Sequence, residues 1–171
     1  MGTLGNMDIQ SFSFAKLPTN VDELKSLPEA AMDSPYKSVA LAMAALLNFE
    51  KDVDAMFAML DYLAGPEPLS TYMRGFIKER LSGKAYKVKS FFEGTSPENG
   101  YIPSSPLTIK VGANPNSFVE ENYATMYVAS SGADSPRPVK LRKKPSTGQW
   151  FVIDIQCLSD IRTPVEADPW V

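Results

Sequence analysis

Apolar residues recur every three or four positions from Thr19 to Ser82, and from Gly83 onward the repeat shortens to two. A period near 3.6 buries one side of a helix, whereas a period of two buries one face of a strand. The chain makes this switch once, with no internal repeat and no low-complexity linker around it. That order predicts an α+β domain, in which three to four N-terminal helices lie on one face of a C-terminal antiparallel β-meander. The 171 residues are 44% hydrophobic and 22% charged, enough for one core without staples. Residues 1–18 are expected to form an irregular N-terminal segment, and 19–171 a single domain.

Cap residues set the expected helices. Asn20 and Glu23 have capping-box spacing before a short helix to about Leu27. Ser34 with Pro35 at the first helical position opens a helix to about Lys51. Its centre is apolar on every side, so it is expected to be covered on more than one face and to be the central element. Asp52 caps a third helix, with Val53, Met56, Phe57, Leu60, Leu63 and Ala64 in one stripe, and Gly65-Pro66 stops it. Ser70 opens a fourth, with Tyr72, Met73, Phe76, Ile77 and Leu81 inward.

Beyond Gly83, the segment from Lys84 to Phe92 is expected to hold a first strand. The stretch from Glu93 to Pro106, rich in Gly, Pro, Ser and Asn, reads as a long surface loop. Leu107, Ile109 and Val111 alternate as a half-buried strand. A strand from about Asn122 to Ser130 places Ala124, Met126 and Val128 on one face and Tyr123, Thr125 and Tyr127 on the other. A final hairpin starts at Arg137.

The chain holds no histidine and one cysteine, Cys157. Histidine-based triads, the usual zinc ligand mix and an imidazole proton shuttle are therefore excluded, as is any intramolecular disulfide. Cys157 continues the period of Phe151, Ile153 and Ile155 and reads as a small buried hydrophobe. No GxGxxG, Walker A or DxDxDG pattern occurs, so neither cofactor nor metal is expected. The remaining acid–base candidate is Asp154, between Ile153 and Ile155, followed by Asp134 and Asp160. The structural readings of these three are a partner for Lys140, a turn residue, and a cap after the last strand. Glu120-Glu121 reads as a solvated pair.

Targeting signals are not visible. The first residues lack a basic stretch followed by an apolar one, and Asn6 stands where a myristoylation signal after Gly2 needs Ser or Thr. The longest apolar run, Val39 to Leu47, is too short to span a bilayer. The expected location is cytoplasmic; a chain that had lost its leader and was secreted would read the same way.

The last hairpin is the most specific feature. Ser146-Thr147-Gly148 suits a three-residue loop with Gly148 left-handed. Lys144 then lies opposite Trp150, Arg142 opposite Val152 and Lys140 opposite Asp154. One face is core. The other carries Lys140, Arg142, Lys144, Trp150 and Asp154, extended by Tyr123 and Tyr127. Three readings compete for it: a solvated sheet face, a protein-binding surface built on Trp, Tyr and Arg, and a nucleic-acid site. Five cations lie between Arg137 and Lys144, but the net charge of −3 and the near balance after Gly83, 10 basic against 9 acidic residues, disfavour nucleic acid.

Five stretches carry a family resemblance: GPEPLS at 65–70, SFFEGTSPENGY at 90–101, GADSPRPVKLRKK at 132–144, LSDIR at 158–162 and DPW at 168–170. From about Leu17 to the end, the chain resembles an uncharacterised bacterial family grouped as a domain of unknown function. The resemblance implies one intact domain and transfers no site residue. The ending PVKLRKKPSTGQWFVID is also similar to the last hairpin of the NTF2-like fold, which implies a cone of helices and curved sheet around a pocket. Such a fold does not assign a function. The expectation is a module that binds a protein through the hairpin face, without catalysis and without a membrane. The alternative is an NTF2-like small-molecule binder or an acid–base enzyme using a buried Asp154.

Overall fold

The computed structural model describes residues 3–171, so Gly2 lies outside the described residues. Five helices and a five-stranded antiparallel sheet make up the α+β fold. The helices are α1 (Val21–Lys25), α2 (Pro35–Leu46), α3 (Val53–Ala64), α4 (Thr71–Leu81) and α5 (Tyr86–Lys89). The strands are β1 (Asp8–Phe14), β2 (Leu107–Ala113), β3 (Tyr123–Val128), β4 (Arg137–Lys144) and β5 (Gln149–Ile155), each paired with the next in sequence.

The helix starts follow their caps. Asn20, Ser34, Asp52 and Ser70 each accept a hydrogen bond from a first-turn N–H, which satisfies donors that the helix itself cannot. The Glu23 carboxylate reaches one residue beyond the cap and accepts from both the N–H and the hydroxyl of Thr19, and these bonds hold its pKa below the usual value. In α2 every residue but Lys37 is buried, because the helix packs on α3 and on the strands together. It ends at Leu46, short of the expected Lys51, and the chain continues in turns. In α4 the buried stripe is Met73, Ile77 and Leu81, spaced four apart. Tyr72 lies off that stripe and is 72% exposed, stacked on Phe76, contrary to the inward position expected of it.

Three other expectations fail for identifiable reasons. Residues 1–18 are not all irregular: Asp8–Phe14 is β1, aligned with Leu107–Ala113 along its whole length. It is an edge strand exposed over most of its residues, so its sequence carries little hydrophobic pattern. The strand expected from Lys84 to Phe92 is instead α5 and the turn after it, and only Phe92 makes a β-bridge, to Ile109. The segment 93–106 does not lie wholly on the surface. Tyr101 is fully buried at a positive φ of 59°, stacks on Tyr86 with ring centroids 5.5 Å apart, and donates to the Arg162 carbonyl at 2.6 Å.

The sheet's inner face presents Ile109, Val111, Ala124, Met126, Val128, Val139, Leu141, Val152 and Ile155 to the helices, all essentially inaccessible. Tyr123, Thr125 and Tyr127 point the other way and are half-buried, as their alternation predicts. Cys157 is buried and contacts the Met43 sulfur at 3.9 Å; burial pushes its thiol up to about 12. Among the described residues, no helix is long and apolar enough to cross a membrane.

Candidate functional site

The hairpin turns one residue earlier than Ser146-Thr147-Gly148 suggests. Pro145 has no N–H to offer the ladder, so pairing stops at Lys144↔Gln149 and the loop has four residues, Pro145–Gly148. The N–H groups of Thr147 and Gly148 both donate to the Lys144 carbonyl, and Gly148 takes the left-handed φ of 74°. Lys143 then faces Trp150, and Arg142 faces Phe151. A register break follows between Lys140 and Leu141 on β4, where Ile153 is the extra residue on β5, and beyond it Lys140↔Asp154 pair as expected.

A one-residue slip reverses the faces of β5 between the turn and the bulge. Trp150 moves to the core side, where its ring is half-buried at the rim. It lies under the Lys143 ammonium at 5.9 Å and edge-on to Phe118 at 6.2 Å. Its expected partner Lys144 sits on the opposite face, beside Gln149. Phe151, expected in the core, takes the place assigned to Trp150. Tyr123, Arg142 and Phe151 form one cross-strand row, with the Arg142 guanidinium 5.5 Å from the Tyr123 ring centre.

Phe151 is one wall of a groove of about 450 Å³ between the hairpin and the α3–α4 connection. Gly65 ends α3 at φ 97°, and a Cβ there would lie 2.6 Å from the Phe151 ring, so glycine lets backbone close over the aromatic face. Asp61 fixes the rest of this wall: one carboxylate oxygen accepts from the Leu69 N–H at 3.0 Å, the other from Arg74. Pro66, Pro68 and Leu69 line that side, with Glu67 as its acid, while Arg142 and Lys144 supply the charge of the hairpin side; Lys143 borders the groove but turns its ammonium to Trp150 on the other face. The result is an apolar slot with one cationic wall.

Of the residues expected to bind, Arg142 and Lys144 line this groove and Tyr123 supports Arg142 from behind. Tyr127 lies farther along β3, opposite Pro138, and Lys140 lies between Thr125 and Asp154. Sequence reasoning missed Phe151, Lys143 and the Gly65–Leu69 wall. Pro145 was the available signal for the first two.

The carboxylate candidates each have structural partners. Asp154 is half-exposed rather than buried, because it pairs with Lys140 on the outer face, and it accepts from the Gln156 side chain at 2.7 Å. Asp134 pairs with Arg162 at 2.7 Å, and that hydrogen bond holds its carboxyl below the usual range. Asp160 adopts a positive φ of 57°, and its backbone carbonyl accepts from Arg137.

A family model described as "Domain of unknown function (DUF6935)" matches residues 16–165. The chain belongs to this family. The match runs from just before α1 through β5 and past the Asp134–Arg162 pair, so the family domain includes both walls of the groove. No curated protein and no solved structure matches the chain.

Proposed function

We propose that this chain is a binding module that acts without catalysis and docks a protein partner on the outer surface of its C-terminal hairpin. The observation that carries this reading is the groove, where Phe151 and Leu69 offer apolar walls and Arg142 and Lys144 supply charge within the same slot. Binding hot spots combine these features: a rigid aromatic anchor, Arg at its side, and a pocket from which water is displaced. A half-open slot with a charged wall suits an inserted side chain and its flanking backbone. The chemistry selects a partner surface of net negative charge, and long-range attraction adds to the encounter rate.

Reversing one wall charge tests the reading. Arg142 is exposed and rests on the side of Tyr123 rather than in the core, so Arg142→Glu should leave the melting temperature within about one or two degrees of the parent. The same variant, used as immobilised bait in native extract, should lose the proteins that the parent retains. Equal retention by both would remove the hairpin groove as the docking site.

A further inference from the structure

At the end of the sheet opposite the hairpin turn, cations gather around the segment that follows β5. Arg80 lies in the last turn of α4, Lys84 in the turn after it, Lys87 in α5, and Arg137 opens β4. Lys84 stands in solvent, whereas Lys87 is only 7% exposed. The Lys87 carbonyl accepts from the Ser90 hydroxyl, but among the described residues its ammonium has neither a hydrogen bond nor an ion pair. Burial, and then the like charges of Lys84 and Arg80, hold the Lys87 ammonium below its ordinary pKa, with Asp160 opposing them. Asp160 is itself exposed, and its backbone carbonyl accepts from Arg137 at 2.9 Å.

Two more groups of this cluster are unsatisfied. The Nε–H groups of Arg80 and Arg137 are inaccessible and have no acceptor among the described residues. Arg80 stacks on Phe76, 4.9 Å from the ring centre, and a terminal nitrogen approaches Glu79 at 3.6 Å, but neither contact gives Nε an acceptor. A buried charge is ordinarily paired and a buried donor ordinarily bonded, because desolvating either alone costs stability. One patch here concentrates a buried ammonium without a carboxylate and two guanidinium donors without acceptors. Its missing complement is negative charge spread over several acceptor oxygens.

We propose that Lys87, Arg80 and Arg137 form a binding site for a small oxyanion of the phosphate class, with Lys84 at its mouth. Guanidinium and ammonium groups hold such an ion by charge-assisted hydrogen bonds. Lys87 supplies a point charge on the floor, the Nε–H groups direct the oxygens, and exposed Lys84 attracts the ion from solution. The site is separate from the groove, which lies beside Lys144 at the far end of β4. An ion there ties the end of α4 and α5 to the start of β4, so binding stabilises the fold. A free ion and the phosphoryl end of a larger molecule present the same chemistry to these donors.

Thermal unfolding of the whole chain, with inorganic phosphate replacing chloride at constant ionic strength, tests this. Phosphate also stabilises proteins by exclusion from their surfaces, so the site is read against Lys87→Met, which keeps the side-chain length and removes the charge. At phosphate tenfold above its dissociation constant, the parent should gain about 3–6 °C more than this variant. In chloride alone Lys87→Met should melt at or above the parent, because no partner on the chain is lost. Lys84→Ala, at the exposed mouth, should fold as the parent does and bind phosphate about two- to fivefold more weakly in calorimetric titration. Phosphoserine separates the two sources of the ion: an equal shift marks a site open to phosphorylated molecules, and no shift marks one confined to the free ion. Equal phosphate shifts in the parent and Lys87→Met overturn the assignment. So does a Lys87→Met protein that melts well below the parent in chloride, since Asp160 would then already serve the ammonium.

Discussion

Helix α2 and the C-terminal hairpin both lie against the centre of the fold, yet they are specified in opposite ways. Eleven of the twelve residues of α2 are buried, on contacts from α3 and several strands at once. No single neighbour decides its placement, and a small shift would break many contacts together. The hairpin rests on fewer decisions. Pro145 ends the ladder at Lys144, and that one event chooses which face carries Trp150 and which carries Phe151. Redundant burial makes a segment legible and costly to alter, whereas a register set by one loop residue leaves its neighbours free to serve a surface.

This contrast is open to attack, first where the effect is largest. Leu46 is 1% exposed, and Leu46→Ala should cost about 2–5 kcal/mol in urea unfolding through lost contacts and the cavity left behind. Leu47, half-exposed at the helix end, should cost less. A Leu46→Ala protein that melts with the parent would remove α2 from its central position. Next comes Trp150→Ala. Its ring is half-buried at the core rim, so the loss should fall below the ~3 kcal/mol at which fully buried tryptophans begin. Outright unfolding would mean that the hairpin is as firmly determined as α2.

The smallest effect is silent at neutral pH. Burial raises the Cys157 thiol from 9.0 to about 12 and the Tyr101 phenol from 10.0 to about 12. In both groups the folded state favours the neutral form. The stability this provides is complete below pH 9 and is withdrawn as pH climbs toward 12. The melting temperature should therefore be flat from pH 7 to about 9 and fall above it. Native Cys157 should resist DTNB until denaturant is added; stoichiometric labelling of the folded protein within minutes would show that its packing on Met43 opens readily.

The helical layer was legible in the sequence because its caps act locally. Asn20, Ser34, Asp52 and Ser70 each bond an N–H two or three residues away, so their meaning does not depend on distant packing. The alternation of β3 was legible for a similar reason. Tyr101 was not, since what buries it, the Arg162 carbonyl and the Tyr86 ring, comes from elsewhere in the chain. Strand β1 was hidden by its position at the sheet edge, where a ladder forms with little apolar surface to mark it. Of the groove, Arg142 and Lys144 were legible as unpaired cations of a hairpin. The aromatic between them and the opposite wall were not, because Phe151 changes face with the slip and Gly65-Pro66 reads simply as the stop of a helix.

The two borders of the sheet differ in how they face other chains. At β5 the Trp150 N–H donates to the Met32 carbonyl and the Trp150 carbonyl accepts from the Ser38 hydroxyl, so helix-layer groups already occupy the position an incoming strand would take. At β1 the Tyr36 hydroxyl of α2 caps the Asp8 carbonyl, but the residues from Asp8 to Ser11 are exposed and Ile9 stands partly in solvent. Aggregation by edge-to-edge growth, a hazard of any open sheet, is thereby steered to one border. A lysine or proline placed in β1 would be the economical guard for concentrated solutions of this protein.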